Sequence, residues 1–201
     1  GAFINSGQVC ISLQRIYVNE AIYEVFAQAL MEETKSLHVG SPYEEETFIG
    51  PMINENAVQK ALHWLESAVN EGAKIVCGFT CKDLMFAPTI VTEVTETMNI
   101  VCEEVFAPIV SLIKVKTYEE AKEKMNCSPY GLQYSIFSND LKMVQDAIDN
   151  LEAGGVVIND IPTLRFDIQP YGGSKNSGIG KEGPKYALLD DYTQIKSVVI
   201  C

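Results

Sequence analysis

The chain has 201 residues, of which 47% are hydrophobic, and its formal net charge at pH 7 is −12. This length and hydrophobic content suffice to bury a core and most simply indicate one domain. The negative charge repels phosphate backbones and anionic lipid headgroups, which argues against nucleic acid and membrane surfaces as partners. No apolar run reaches the roughly 18 residues of a membrane helix and no signal segment opens the sequence, so a cytoplasmic protein is expected.

The first half of the sequence alternates strand-like and helix-like segments. Residues 15–18 predict a strand, and residues 20–37 predict a helix with an apolar face. That face consists of Ile22, Val25, Phe26, Ala29 and Leu30. Asn54 is a suitable N-cap for a second helix that ends near residue 71, and a strand follows at residues 74–77. The buried side predicted for the second helix consists of Val58, Ala61, Leu62, Leu65, Ala68 and Val69.

The second half continues the same alternation. The predicted elements are extended segments at 86–94 and 109–115, a helix at 117–125, an interior strand at 134–137, a helix capped by Asn139 or Asp140 that ends near 151, and a strand at 156–158. Strands separated by helices predict an α/β fold with a mostly parallel sheet, helices on both faces and right-handed crossovers.

The end of the sequence has a different character. Residues 159–183 form a long, Gly-rich segment without periodicity, and a loop of that length in a compact domain predicts a functional role. A short helix is expected at 185–189 and an apolar strand at 193–200. Because that strand is terminal and expected at a sheet edge, it is a candidate for pairing with another subunit.

Six cysteines are scattered through apolar segments and do not resemble a disulfide framework, which fits a reducing compartment. Cys77 and Cys81 do not form a metal-ligand spacing with His38 or His63, so no metal site is expected. Cys10 differs from the others because it directly follows a glycine-bearing segment, where a thiol can be reached by a substrate. It is the candidate nucleophile, acting as the thiolate.

Three segments carry a family resemblance. They are Asn5-Ser6-Gly7-Gln8-Val9-Cys10, Glu103-Glu104-Val105-Phe106-Ala107-Pro108 and Pro170-Tyr171-Gly172-Gly173-Ser174-Lys175-Asn176-Ser177-Gly178. In this order they resemble the cysteine motif and two later motifs of the NAD(P)-dependent aldehyde dehydrogenase superfamily. The resemblance covers the whole chain and implies the catalytic domain of that family.

The resemblance also implies roles for individual residues. Cys10 would attack an aldehyde, and its backbone N–H would be one donor to the oxyanion. Glu104 would accept hydrogen bonds from the nicotinamide ribose hydroxyls, and Phe106 would pack against the nicotinamide end. Ala107 stands where the family has glycine, so a positive φ there would be strained. Asn159 matches a position that ties the late loop to the active site, although a turn-forming asparagine is an equal alternative.

Other parts of the family's machinery are expected outside this sequence. The general-base glutamate, the asparagine that supplies the second oxyanion donor, and most of the dinucleotide-binding domain lie upstream of the cysteine motif in the family. The sequence therefore predicts a catalytic domain at 1–192 and an oligomerisation strand at 193–201 of a longer polypeptide. The isolated chain is expected to be inactive, and the parent to be a dimer or tetramer.

The substrate is predicted to be a small aldehyde. Ile4, Val9, Ile11 and Tyr171 match positions that line the substrate tunnel in the family. The segments around Cys10 and residues 159–165 look most similar to lactaldehyde and non-phosphorylating glyceraldehyde-3-phosphate dehydrogenases. Arg165 could bind a phosphate or hydroxyl-bearing end of the substrate, or serve as an ordinary surface arginine. Val9 replaces an arginine found in some phosphate-using relatives, which favours an uncharged aldehyde.

Two other functions stay open on the sequence alone. A cysteine hydrolase or acyltransferase would need a histidine base, for which the sequence offers only His38 and His63 in segments expected to be exposed. A non-catalytic assembly module would use the last strand to bind a partner.

Overall fold

A computed structural model describes residues 1–183, 185 and 192–200 of the chain. Within these residues the helices are α1 Tyr23–Ser36, α2 Glu55–Asn70, α3 Asn99–Cys102, α4 Tyr118–Asn126 and α5 Leu141–Asn150. The strands are β1 Arg15–Asn19, β2 Lys74–Cys77, β3 Cys81–Lys82, β4 Met85–Phe86, β5 Thr89–Thr92, β6 Ile109–Val115, β7 Tyr130–Gly131, β8 Gln133–Ile136, β9 Gly155–Ile158 and β10 Ser174–Lys175.

The chain divides into two compact units. The first comprises residues 1–128 and 161–163, and the second comprises residues 129–160 and the described residues from 164 onward. No helix in the described part of the chain is long and apolar enough to cross a membrane.

A four-stranded sheet forms the centre of the first unit, in the order β1-β6-β5-β2. The pairs β1/β6 and β5/β6 are parallel, which confirms the predicted α/β fold with a mostly parallel sheet. β2 is the exception, because it pairs with β5 in the antiparallel sense. The chain between β2 and β5 contains only the short β3/β4 hairpin, which is too short for the crossover that a parallel pair requires.

Alternate residues of the central strands point to two apolar cores. On one face Val91, Ile109 and Ile113 pack with the buried side of α2. On the other face Ile90, Val110 and Leu112 pack with α1. A sheet covered on both faces explains why every residue of β5 and every residue of β6 except Lys114 is buried, as expected for central parallel strands.

α2 follows the sequence pattern closely. The Asn54 side chain accepts a hydrogen bond from the Ala57 N–H at 2.9 Å, which confirms the predicted N-cap. The residues Val58, Ala61, Leu65 and Ala68 are buried, and Leu62 is half-buried. Val69, predicted to be buried, is 41% exposed, because it lies near the end of the helix at the border of the apolar stripe.

α1 has a different buried face from the one predicted. Ile22, Val25 and Ala29 are exposed, and Phe26 is 37% exposed. The side that packs on the sheet consists of Tyr23, Ala27, Leu30 and Met31. Of the residues predicted to be buried, only Leu30 contacts this core. The Tyr23 hydroxyl donates to the carbonyl of Leu112 at 3.3 Å and so fixes the rotation of the helix.

The second unit contains β7 to β10 and α5. The Asp140 side chain accepts from the Lys142 N–H at 2.9 Å, so Asp140 is the cap of α5. β8 pairs with β9 in parallel, and in the described part of the unit β8 belongs to a two-stranded sheet instead of lying in a sheet interior. The helix expected at 185–189 falls almost wholly outside the described residues. Residues 193–200 are described outside any strand and are exposed, so their pairing with another subunit stays a prediction.

Candidate active site

The loop before Cys10 has an unusual backbone. Asn5, Ser6 and Gly7 have φ values of 49°, 58° and 69°, three consecutive residues in the left-handed region. Glycine is required at the third position because a Cβ on Gly7 would overlap the backbone carbonyl of Ala107. The loop therefore lies directly against the segment that carries Phe106 and Ala107.

Two side chains anchor this loop to residues 50–53. The Ser6 hydroxyl, which is buried, donates to the Gly50 carbonyl at 2.8 Å. The Gln8 amide accepts from the Ile53 N–H at 2.8 Å and donates to the Pro51 carbonyl at 3.3 Å. These bonds hold a backbone conformation that the residue types alone would not favour.

The Cys10 thiol is exposed at a turn that follows this loop. The turn is closed by the Ser12 N–H, which donates to the Val9 carbonyl at 2.9 Å, and the Ser12 hydroxyl donates to the Ala2 carbonyl at 3.2 Å. Its neighbours differ in exposure: Ile11 is buried, whereas Ile4 is 41% exposed. Cys10 thus has the accessibility that the sequence predicted for a nucleophile.

A pocket that is open to solvent lies beside Cys10. Its lining consists of Gly7, Val9, Cys10, Ser12, Gln14, Glu104, Val105, Phe106, Ala107 and Ile109. The structure therefore brings together four predicted residues from two separate motifs, namely Val9 and Cys10 from the first and Glu104 and Phe106 from the second. Ile4 and Ile11, which were predicted to line the substrate site, do not line this pocket.

The backbone next to Glu104 corrects one expectation. The residue with positive φ is Phe106, at 55°, and Ala107 is not in the left-handed region. The replacement of glycine by alanine at position 107 therefore causes no backbone strain. Phe106 remains 42% exposed, so one part of its ring is available at the pocket for a further contact.

The Glu104 segment is held by residues that the motifs did not reveal. The Lys60 ammonium donates to the Glu104 carbonyl at 3.0 Å and lies 4.2 Å from the centre of the Trp64 ring. The Gln14 amide bonds to the carbonyls of Ile100 and Glu103 and to the Val105 N–H. No local sequence signal indicates these hydrogen bonds, since the bonded partners lie more than forty residues apart along the chain.

The remaining predicted residues belong to the second unit. The Arg165 guanidinium stacks 4.1 Å from the centre of the Tyr171 ring and lies 4.0 Å from a carboxylate oxygen of Glu182. Asn159 has a φ of 58°, and its amide accepts from the Ser138 N–H at 2.8 Å and donates to the Ser138 carbonyl at 3.1 Å. These two bonds join the end of β9 to the segment after β8, 21 residues earlier in the chain, and they differ from the local bonds of an Asx turn.

The other chemically notable residues do not join the pocket. His38 and His63 are both exposed and neither lines it. Burial, followed by the nearby Asp83, raises the pKa of the Cys81 thiol, so this thiol is a weak nucleophile at neutral pH.

Comparisons with known proteins agree on one family. The family model described as the aldehyde dehydrogenase family matches residues 1–198. The chain is 44% identical over 199 residues to a 3-sulfolactaldehyde dehydrogenase of Priestia aryabhattai and 36% identical over 200 residues to a lactaldehyde dehydrogenase of Methanococcus aeolicus. These alignments cover 99% and 100% of the chain but only 42% and 43% of those proteins. The chain thus spans about two fifths of the length of the curated relatives it matches.

Solved structures give the same result. Aldehyde dehydrogenase 21 from Physcomitrella patens, in complex with the reaction product succinate, superposes with a TM-score of 0.89 at 42% identity, over 91% of this chain and 38% of that chain. The glyceraldehyde-3-phosphate dehydrogenase GapN from Methanocaldococcus jannaschii, complexed with NADP, superposes with a TM-score of 0.90 at 39% identity, over 93% of this chain and 41% of that one.

Proposed function

We propose that this chain, which belongs to the aldehyde dehydrogenase family as its three motifs predicted, is the thiol-bearing part of an enzyme that oxidises a small aldehyde with NAD or NADP. The observation that supports this proposal is the pocket in which an exposed thiol, Cys10, shares one wall with Glu104 and Phe106. A nucleophile, a carboxylate and an aromatic side chain in one small pocket suit the meeting of an aldehyde with the nicotinamide end of a dinucleotide.

Cys10 carries out the first step. Its thiolate attacks the aldehyde carbon, the carbonyl oxygen becomes an oxyanion, and the Cys10 backbone N–H stabilises that charge. The dinucleotide, when bound, supplies the acceptor for the hydride that leaves the resulting thiohemiacetal. Water then cleaves the thioester and releases the carboxylic acid, which requires a general base.

Glu104 and Phe106 fit the nicotinamide end by their chemistry. An ionised carboxylate is an acceptor only, and it suits the two hydroxyl donors of a ribose. The exposed part of the Phe106 ring offers an apolar surface next to it. Val9 and Ile109 supply apolar pocket wall beside the thiol, which suits the carbon chain of a small aldehyde.

The rest of the machinery is proposed to lie in the remainder of a longer polypeptide. We assign to it the general-base glutamate, the second oxyanion donor and most of the dinucleotide-binding domain. The chain by itself is then expected to show no turnover. The extent of the relatives supports this division, since the chain aligns with about two fifths of their length.

The substrate is proposed to be a short 2-hydroxyaldehyde. The names of two relatives, 3-sulfolactaldehyde dehydrogenase and lactaldehyde dehydrogenase, support this choice. Val9, an apolar residue beside the thiol, favours an uncharged aldehyde. Arg165 and Tyr171 are proposed to contact the far end of the substrate, although the stacking of Arg165 on Tyr171 and its proximity to Glu182 also suit a structural arginine.

Homo-oligomer formation through residues 193–201 and a cytoplasmic location complete the proposal. Within 193–200 the side chains of Ile195, Val198, Val199 and Ile200 are at least 70% exposed, and such an apolar segment is suited to cover by a second subunit. The five described cysteines are all thiols, which fits a reducing compartment.

The test is reduction of NAD and of NADP by the full-length protein with lactaldehyde, 3-sulfolactaldehyde and glyceraldehyde-3-phosphate. We expect activity with at least one pair and its loss on Cys10→Ala, while Cys127→Ala, which removes another exposed thiol, retains it. An Arg165→Gln variant that lowers activity only with the two anionic aldehydes would place Arg165 at the substrate. Absence of reduction by the wild type with every pair would refute the dehydrogenase proposal.

A further inference from the structure

Gln14 joins the Cys10 turn to the segment that carries Glu104. It lies four residues after Cys10 and directly before β1, where its backbone carbonyl accepts from the Ser111 N–H at 2.8 Å. From this fixed position its side-chain nitrogen donates to the Ile100 carbonyl at 3.2 Å and to the Glu103 carbonyl at 2.5 Å. Its side-chain oxygen accepts from the Val105 N–H at 3.2 Å.

One of these groups, the Ile100 carbonyl, lies at the end of α3, and the other two lie in the extended segment that follows it. α3 is a single turn, and the chain leaves it at Glu103, whose φ of −112° and ψ of 163° are extended. The last carbonyls of a helix have no N–H partner within the helix. Gln14 supplies a donor to the Ile100 carbonyl at that end and bonds to the two residues that flank Glu104.

Glu104 is thereby fixed through its backbone. The residues on either side bond to Gln14, and its own carbonyl accepts from the Lys60 ammonium at 3.0 Å. Neither contact occupies the Glu104 carboxylate. The arrangement therefore fixes the backbone position from which the side chain extends and leaves the carboxylate available to the pocket that Glu104 lines.

We propose that Gln14 is a positioning residue that holds Glu104 ready to bind the ribose hydroxyls of NAD or NADP. This inference rests on the proposed function. If the Glu103–Val105 segment is ordered before the dinucleotide binds, no binding energy is lost to ordering it. Without Gln14 the Glu103–Val105 segment samples other conformations, and the cost appears as weaker dinucleotide binding while Cys10 keeps its reactivity.

Two substitutions test this role in the full-length protein. Gln14→Met keeps the length of the side chain and removes all three hydrogen bonds. Gln14→Glu keeps an acceptor for the Val105 N–H but places a carboxylate oxygen against the carbonyls of Ile100 and Glu103. The control is Gln28→Met, which removes an amide that donates to Glu32 at 3.1 Å on an exposed part of α1.

Three measurements are made on each variant. We expect Gln14→Met to raise the KM for the dinucleotide about tenfold and Gln14→Glu to raise it further, with kcat changed by less than about threefold. Hydrogen exchange in the peptide that covers residues 99–106 should become faster in both variants. The rate at which iodoacetamide alkylates Cys10 should stay within about twofold of the wild type, and Gln28→Met should match the wild type throughout.

The outcomes distinguish failure of the Gln14 positioning role from failure of the proposed function. An unchanged KM despite faster exchange in residues 99–106 would overturn the positioning role, as would a raised KM without faster exchange. Parallel changes in KM and in Cys10 alkylation would also overturn it, because they indicate general damage to the pocket. No reduction of NAD or NADP by the wild type would instead refute the proposed function, and the cofactor role of Gln14 with it.

Discussion

Alanine substitutions at three glycines can separate two costs at the Cys10 loop, the strain of a left-handed backbone and the overlap of a Cβ with a neighbouring carbonyl. Gly50 has open space where a Cβ would lie and no positive φ, Gly72 has open space but a φ of 109°, and Gly7 has both a φ of 69° and the Ala107 carbonyl in the way. Alanine at Gly50 should be neutral or should stabilise by up to about 1 kcal/mol, since it reduces the freedom of the unfolded chain. Alanine at Gly72 should lower the free energy of unfolding by about 1 to 2 kcal/mol.

Gly7→Ala should have the largest effect. It carries the same left-handed cost of about 1 to 2 kcal/mol, and moving the Ala107 carbonyl out of the way adds about 1 to 3 kcal/mol, the range for overpacking. The total is about 2 to 5 kcal/mol. Because the urea dependence of small proteins is about 1 to 3 kcal/mol per molar, the unfolding midpoint should fall by roughly 1 M or more.

Trp64 provides the assay for this series. It is the single tryptophan of the chain and packs against the core of the first unit, which contains all three glycines. Its fluorescence during urea unfolding therefore reports the unit under test. If Gly7→Ala unfolded at the same urea concentration as Gly72→Ala, the argument that the loop lies in close contact with the Ala107 carbonyl would be wrong.

Three further predictions concern other residues. Iodoacetamide at neutral pH should modify the exposed thiols of Cys10 and Cys127 well before that of Cys81, because burial raises the Cys81 pKa. Equal alkylation rates at all three thiols would contradict this difference in exposure and pKa. Ser111→Ala should raise the free energy of unfolding by about 1 kcal/mol, because the fully buried Ser111 hydroxyl has no hydrogen-bond partner among the described residues. A lower unfolding midpoint in urea would show that this hydroxyl does form a hydrogen bond. Burial raises the pKa of Tyr23 in the folded protein, so the contribution of Tyr23 to the free energy of unfolding is complete below the unfolded-state pKa of about 10 and is lost as pH rises through the higher folded-state pKa. The stability of the wild type should therefore fall more steeply above pH 10 than that of Tyr23→Phe. Equal slopes would refute this.

The sequence predicted those parts of the fold that depend on local signals. The Asn54 cap and the apolar stripe of α2 lie within a few residues of each other, so the pattern contains the needed information. On α1 the stripe Ile22, Val25, Phe26 competes with the adjacent stripe that contains Tyr23. Only the contact of Tyr23 with Leu112, in a strand 89 residues away, decides which one faces the sheet.

In the candidate site, too, some features were predictable from the sequence and others depend on distant contacts. Cys10, Glu104 and Phe106 were found because short motifs resemble a family, and the structure brings all three to one pocket. The roles of Ser6 and Gln14 were not found. Their side chains bond to backbone carbonyls and N–H groups, which every residue carries, so the sequence of the partner segment gives no signal.

The free-energy cost of the left-handed backbone in the Cys10 loop is similar to the stabilisation from the hydrogen bonds that anchor the loop. Left-handed conformations at Asn5 and Ser6 cost together about 2 to 4 kcal/mol. The three bonds that Ser6 and Gln8 form with residues 50–53 contribute about 0.5 to 1.5 kcal/mol each, which is a similar sum. Because the two sums nearly cancel, removing one anchor shifts the balance from the left-handed form of the loop towards relaxed alternatives. Loss of the Ser6 hydroxyl should therefore alter the presentation of the Cys10 thiol before it lowers the stability of the sheet behind it.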